Sequence, residues 1–147
     1  MREIKFRCWH RSATSVWNKK HTKVISYNAG MIYDDSPGDC LKWKNDGQDI
    51  DAIMQFTGLR DAKGIEIYEG DIVEIQNLPC QIQKARLNGV IEFSSWGAWE
   101  AKIRKVVAWT GYTHGVEPPE SILLMNILST RTIRIIGNIH ENPELGR

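Results

Sequence analysis

Twenty residues in the middle of this chain, Met54 to Val73, limit what it can fold into more than any other stretch. They read as strand, turn, strand, turn, strand, with Gly58, Gly64 and Gly70 at the corners. Asp61-Ala62-Lys63-Gly64 opens on a carboxylate able to cap backbone N–H groups and closes on a glycine free to take a positive φ. Leu59, Ile65 and Ile67 supply the apolar side of a short hairpin. Glu69-Gly70-Asp71 then turns the chain into Ile72-Val73-Glu74-Ile75. Gly58, Asp61, Gly64, Gly70 and Asp71, with Gly137 further on, are therefore assigned to a structural turn motif. The acids Asp61, Glu66, Glu69 and Asp71 have no nucleophile or ligand partner in the stretch, so neither acid–base chemistry nor metal binding is assigned to them.

Alternation of apolar and polar residues extends the β reading outward. In Glu3–Trp9, Ile4, Phe6 and Cys8 share one face, and Lys5, Arg7 and Trp9 share the other. Cys8 is a small core residue on this reading. Cys8 and His10 lack a second pair at ligand spacing, so no zinc site is expected. Ile50–Phe56, Gly89–Phe93 and Thr132–Ile139 read as strands, and Ile103–Ala108, flanked by Trp96, Trp99 and Trp109, reads as one more strand pair. One short helix is predicted near residues 119–128, with Pro118 and Pro119 at its start and Leu123, Leu124, Ile127 and Leu128 at helical spacing. Residues 10–48 and 78–88 read as loop-rich excursions, and in the first Val16-Trp17 and Val24–Tyr27 suggest a short hairpin or a loop that opens and returns. Gly-Asp-Ile-Val-x-Ile followed by Gly-Val-Ile-x-Phe is a pattern of small, strongly bent barrels of the SH3 type, where glycines let strands curl and approach. The fold predicted is mainly β, an SH3-like barrel core with extra hairpins, in a single domain over 1–147.

Composition bounds the function. No apolar run approaches the ~20 residues that span a bilayer, and Met1–Arg7 has no apolar core of the kind a secretory signal needs. The three cysteines, Cys8, Cys40 and Cys80, are odd in number and irregularly spaced, as reduced thiols in a cytoplasm are. The net charge is +1, yet its distribution is uneven. From Ile4 to Tyr33 there are six cations (Lys5, Arg7, Arg11, Lys19, Lys20, Lys23) and no acid; from Asp34 to Asp51 there are six aspartates against Lys42 and Lys44. Blocks of opposite sign settle against each other or against a second copy of the chain, and a basic patch for nucleic acid is the sharper alternative.

Three ordered motifs carry a family likeness. Ile4-Lys5-Phe6-Arg7-x-Trp9 resembles the YopX family of phage and prophage proteins. So do Met54-Gln55-Phe56-Thr57-Gly58-Leu59-x-Asp61 with Ile67–Val73, and the closing Ile136-Gly137-Asn138-Ile139-x-Glu141-Asn142-Pro143-Glu144-Leu145. The chain has Cys8-Trp9-His10 where that family usually has Ala-Trp-Asp, and Phe56 and His140 where it has Tyr. The resemblance implies a mostly β fold, a mobile-element origin and a home inside the host cell; it carries no assigned activity.

The function these residues point to is a non-enzymatic binding or assembly module that self-associates, with a host or phage protein as a further partner, no cofactor and no membrane contact. Six tryptophans exceed what one small core needs, and tryptophan is favoured at interfaces. The alternative is nucleic-acid binding through the amino-terminal third, with Trp17 and Tyr27 as stacking faces near Lys19, Lys20 and Lys23. Glu66, Glu69, Asp71 and Glu141, with His114 or His140 as base, form no recognisable catalytic constellation in sequence, so no enzyme is expected.

Overall fold

The computed structural model describes residues 3–10, 14–17, 24–27, 30–34, 38–47, 50–76, 84–110, 117–128 and 132–147. The chain gathers into two compact units, Met1–Phe56 and Thr57–Arg147.

In the first unit, β1 (Phe6–His10) is the central strand. It pairs antiparallel on one edge with β4 (Gly30–Tyr33), Cys8 opposite Ile32, and on the other with the first residues of β5 (Ile50–Arg60), Cys8 opposite Ile53. β2 (Thr14–Trp17) and β3 (Val24–Tyr27) pair antiparallel, the hairpin of the two arrangements that the sequence suggests. The stretch read as loop-rich thus carries a further strand and also α1 (Asp39–Asn45). Seven residues with two lysines look like a surface turn, but Cys40 and Trp43, three apart, both turn inward. The helix start is held from outside the helix: Asp34 accepts from the amides of Cys40 at 2.7 Å, Gly38 at 3.0 Å and Phe6 at 3.1 Å. Cys8, Ile32, Cys40, Trp43 and Ile50 form the core of this unit, with Phe6 and Ile53 against it. Arg7, placed by alternation on the open face of β1, is buried as well.

The second unit takes the end of β5 and turns it into β6 (Glu66–Tyr68). β7 (Asp71–Gln76), β8 (Lys84–Phe93), β9 (Trp99–Thr110), β10 (Ser121–Leu123) and β11 (Ile133–Asn138) build an antiparallel sheet in the order β10-β9-β8-β7-β11. Residues 84–88, read from sequence as part of a loop, are strand: Ala85 and Leu87 alternate into the core while Arg86 and Asn88 do not. Ile103–Ala108 lies within one continuous strand, β9, rather than making a pair of its own. The helix predicted near 119–128 is present as α2 (Leu124–Leu128), but it starts well past the prolines. Ser121–Leu123 instead extends the sheet edge, with Ile122 opposite Ala101.

Register slips in β8–β9 near Arg86/Leu87 and Asn88/Gly89, and in β11 between Ile135 and Gly137, are bulges that twist and bend the sheet. At Gly89 an added Cβ would lie 3.1 Å from the Lys102 carbonyl oxygen, so close strand approach accounts for that glycine. Val73, Ile75, Ala85, Leu87, Ile91, Trp99, Ala101 and Ile133 pack with Ile67 and Leu124 into the core. The fold is mainly β, as the sequence predicts, with a bent antiparallel sheet of the kind small barrel-like proteins use. No helix among the described residues is long and apolar enough to cross a membrane.

Candidate functional site

The turn motif is built as its residues require. The Asp61 carboxylate accepts from the amides of Lys63 (2.8 Å) and Ile65 (3.0 Å), and Gly64 at φ 83° donates to the Asp61 carbonyl. Gly70 takes φ 77°, and Asp71 accepts from the Tyr68 amide at 2.8 Å. Gly58 takes φ 86°. Gly137 needs space rather than a positive φ: a Cβ there would sit 2.7 Å from Asn142 Oδ1. Glu66 pairs with Arg60 at 2.6 Å and accepts from the Tyr68 hydroxyl at 3.0 Å. These acids serve turns and strand faces.

A buried charge cluster that sequence reading does not single out lies on β7. Glu74, in the middle of β7, has a side chain only 4% exposed. Arg86 of β8 donates Nε to its Oε2 at 2.6 Å, Arg134 of β11 donates Nη2 to its Oε1 at 3.2 Å, and Gln76 donates Nε2 to Oε1 at 2.6 Å. Burial alone would raise the Glu74 pKa. The hydrogen bonds from Arg86 and Gln76 and the charges of both arginines outweigh it and hold the carboxyl below its ordinary value. One signal was present in the sequence: an acid inside Ile72-Val73-Glu74-Ile75, where a buried strand would otherwise be apolar. Its cationic partners lie 12 and 60 residues away and could not be read locally.

At the far end of the β8–β9 hairpin is an aromatic tip. Ser94 N–H donates to the Ala98 carbonyl at 2.8 Å, and Gly97, at φ 80°, donates to the Ser94 carbonyl at 3.0 Å. That turn lifts Trp96 to 91% exposure beside Phe93 at 52%. Phe93 meets the buried Trp99 edge-on, with ring centroids 4.9 Å apart. The Trp99 indole Nε1 is buried without a hydrogen-bond partner among the described residues. Of the tryptophans whose surroundings are described, Trp43 is core in the first unit and Trp99 in the second, where Trp109 packs against that core; Trp9 is half-buried, and Trp96 stands in solvent.

Of the residues proposed for nucleic acid, Trp17 pairs with Val24 and Tyr27 with Thr14, so the two close opposite ends of the β2–β3 ribbon. Lys19, Lys20 and Lys23, like His114 and Cys80, lie outside the described residues. The His140 amide donates to Asn138 Oδ1 at 2.9 Å. Among the described residues, no group of three or more His, Cys, Asp or Glu is placed to hold a metal ion. Cys8 and Cys40 are free thiols buried together; the hydrogen bond to Cys8, then burial and the Asp34 carboxylate, push the Cys40 thiol up.

Two units of antiparallel strands, cornered by Asp–Gly turns and carrying a clamped carboxylate and an aromatic hairpin tip, define a small β protein of the bent-sheet class. The chain belongs to the YopX protein family, which matches residues 5–145, as its three motifs suggest. Among solved structures it is similar to protein EF1440 from Enterococcus faecalis, at 24% identity over 100% of both chains, with a TM-score of 0.47. Comparison with curated proteins finds no match.

Proposed function

We propose that the protein is a non-enzymatic binding module that acts in the host cytoplasm, associating with a second copy of itself and, through the same aromatic tip, with a protein of the host or phage. The observation that carries this reading is Trp96, 91% exposed beside the half-exposed Phe93 on a hairpin turn fixed by hydrogen bonds. A rigid, amphipathic ring held clear of the surface loses little conformational freedom on docking, and tryptophan is over-represented among the residues that dominate interface energy. The non-enzymatic half is supported by the acids of the central stretch, since Asp61, Glu66 and Asp71 are engaged by turn amides, Arg60 and Tyr68. Sedimentation velocity at tens of micromolar tests the reading. The wild type is expected to run as a dimer or larger and Trp96→Ala as a monomer. A wild type that stays monomeric, or a Trp96→Ala variant that assembles unchanged, removes self-association through the tip.

A further inference from the structure

We infer that the sheet face opposite the second unit's core, around Glu74, is a binding site for a phosphate oxyanion, presented most naturally as the phosphodiester backbone of a nucleic acid. Val73, Ile75, Ala85, Leu87 and Ile133 point into the core, so alternation sends Glu74, Arg86, Asn88 and Arg134 to the other face. The register aligns them: Asn88 and Arg134 are the direct neighbours of Glu74 on either side, and Lys105 lies beyond Asn88.

One buried carboxylate therefore holds two guanidinium groups, Arg86 from one flanking strand on Oε2 and Arg134 from the other on Oε1. Each arginine uses a single nitrogen on Glu74, and the side chains remain 52% and 49% exposed for Arg86 and Arg134. Every guanidinium carries five donors, so most of theirs are left for another acceptor. Two cations on one anion leave an excess positive charge, and the exposed Lys105 in the same row adds to it. If the arginines served only to neutralise Glu74, one would suffice for the charge. Holding two on the same carboxylate works against their mutual repulsion, which an incoming oxyanion relieves. Fixing the forks in advance also reduces the entropy lost on binding, and the planar fork suits phosphate oxygens. Arg86, Arg134 and Lys105 are exposed and drawn from three strands of the sheet, a spread that suits an extended chain of phosphates better than an enclosed ion. None of its residues belongs to the aromatic tip or to the basic amino-terminal segment.

The test uses the full chain with two probes: a short fluorescein-labelled single-stranded oligonucleotide followed by anisotropy, and inorganic phosphate followed through the NMR signals of the Arg86 and Arg134 Nε–H groups. Oligonucleotide binding that weakens with salt, with Arg86→Gln and Arg134→Gln each about tenfold weaker and the salt slope lowered by about one, supports a backbone site. Saturable movement of the two arginine signals with phosphate, without oligonucleotide binding, assigns the same forks to a free or terminal phosphate. Should either glutamine variant fail to fold by circular dichroism, Lys105→Glu replaces it, because Lys105 is exposed and outside the Glu74 cluster. That variant is expected to bind the oligonucleotide severalfold more weakly. No oligonucleotide binding at low salt together with unmoved arginine signals, or unchanged affinity in the folded variants, overturns the inference.

Discussion

The carboxylate of Asp61 lies 3.3 Å from the amide of Ile135, 74 residues further along the chain, while its other oxygen caps the turn it opens. A residue chosen by turn chemistry thus also fastens β11 to the hairpin. Asp61→Ala frees the amides of Lys63, Ile65 and Ile135 together and is expected to cost about 2 kcal/mol in urea denaturation. Asp61→Asn, which keeps an acceptor oxygen, should lose less. A loss for alanine within the ~0.5 kcal/mol of an ordinary surface change would show that the turn does not depend on this carboxylate.

Gly137→Ala places a methyl group 2.7 Å from Asn142 Oδ1 and is expected to destabilise the protein by about 1–3 kcal/mol. The cause is crowding by one side chain, so Asn142→Ala in the same molecule should recover part of the loss. Additive losses in the double-mutant cycle would argue against the contact. Gly64→Ala has open space around it but sits at φ 83°, and its cost of about 1–2 kcal/mol should be insensitive to any neighbour.

Glu74 gives stability a dependence on pH. Its folded pKa lies below the ordinary 4.5 of the unfolded chain, so its contribution is complete above that value. The contribution is lost as pH falls through the lower, folded pKa. Thermal melts between neutral and pH 3 should therefore show an acid-sensitive component that Glu74→Gln flattens, because the amide does not titrate. A variant with the slope of the wild type below pH 4.5 would assign the acid sensitivity to other groups.

Cys8 and Cys40 are fully buried, and the Cys40 thiol is held protonated at neutral pH. Burial shields both sulfurs, and at Cys40 the reactive thiolate is suppressed as well, while the hydrogen bond from Cys40 lowers the Cys8 pKa; both should therefore resist iodoacetamide in the native state by inaccessibility and label on denaturation. Peptide mapping before and after guanidinium reads this directly. Rapid native labelling at Cys8 or Cys40 would mean that the first unit opens readily.

What could be read from sequence was what neighbours in sequence decide. The corners at Asp61, Gly64, Gly70 and Asp71 follow from local backbone geometry, and the alternation of Ile133, Ile135 and their neighbours marks β11 without outside help. α1 was missed because its start is capped by Asp34, five residues before the helix begins, and because two inward residues are too few to show a helical period. The strand at residues 84–88 was hidden by its charged face; its inward Ala85 and Leu87 were there to be counted. Arg86 and Arg134 acquire meaning only when β7 brings Glu74 between them, a pairing set by sheet order and register.

The β8–β9 ribbon bears on how the molecule is assembled in time. Phe93 faces Trp99 across a short turn, and paired positions continue outward to Lys84 opposite Thr110. Closing so short a loop costs little chain entropy, and each later pair adds next to one already made. Such a ribbon zips in microseconds, well before strands separated by sixty residues can meet. Within the second unit, a chain leaving the ribosome would complete this template before β11 emerges. β7 and β11 would then be recruited to its exposed edge, with Glu74 and Arg134 meeting among the last events.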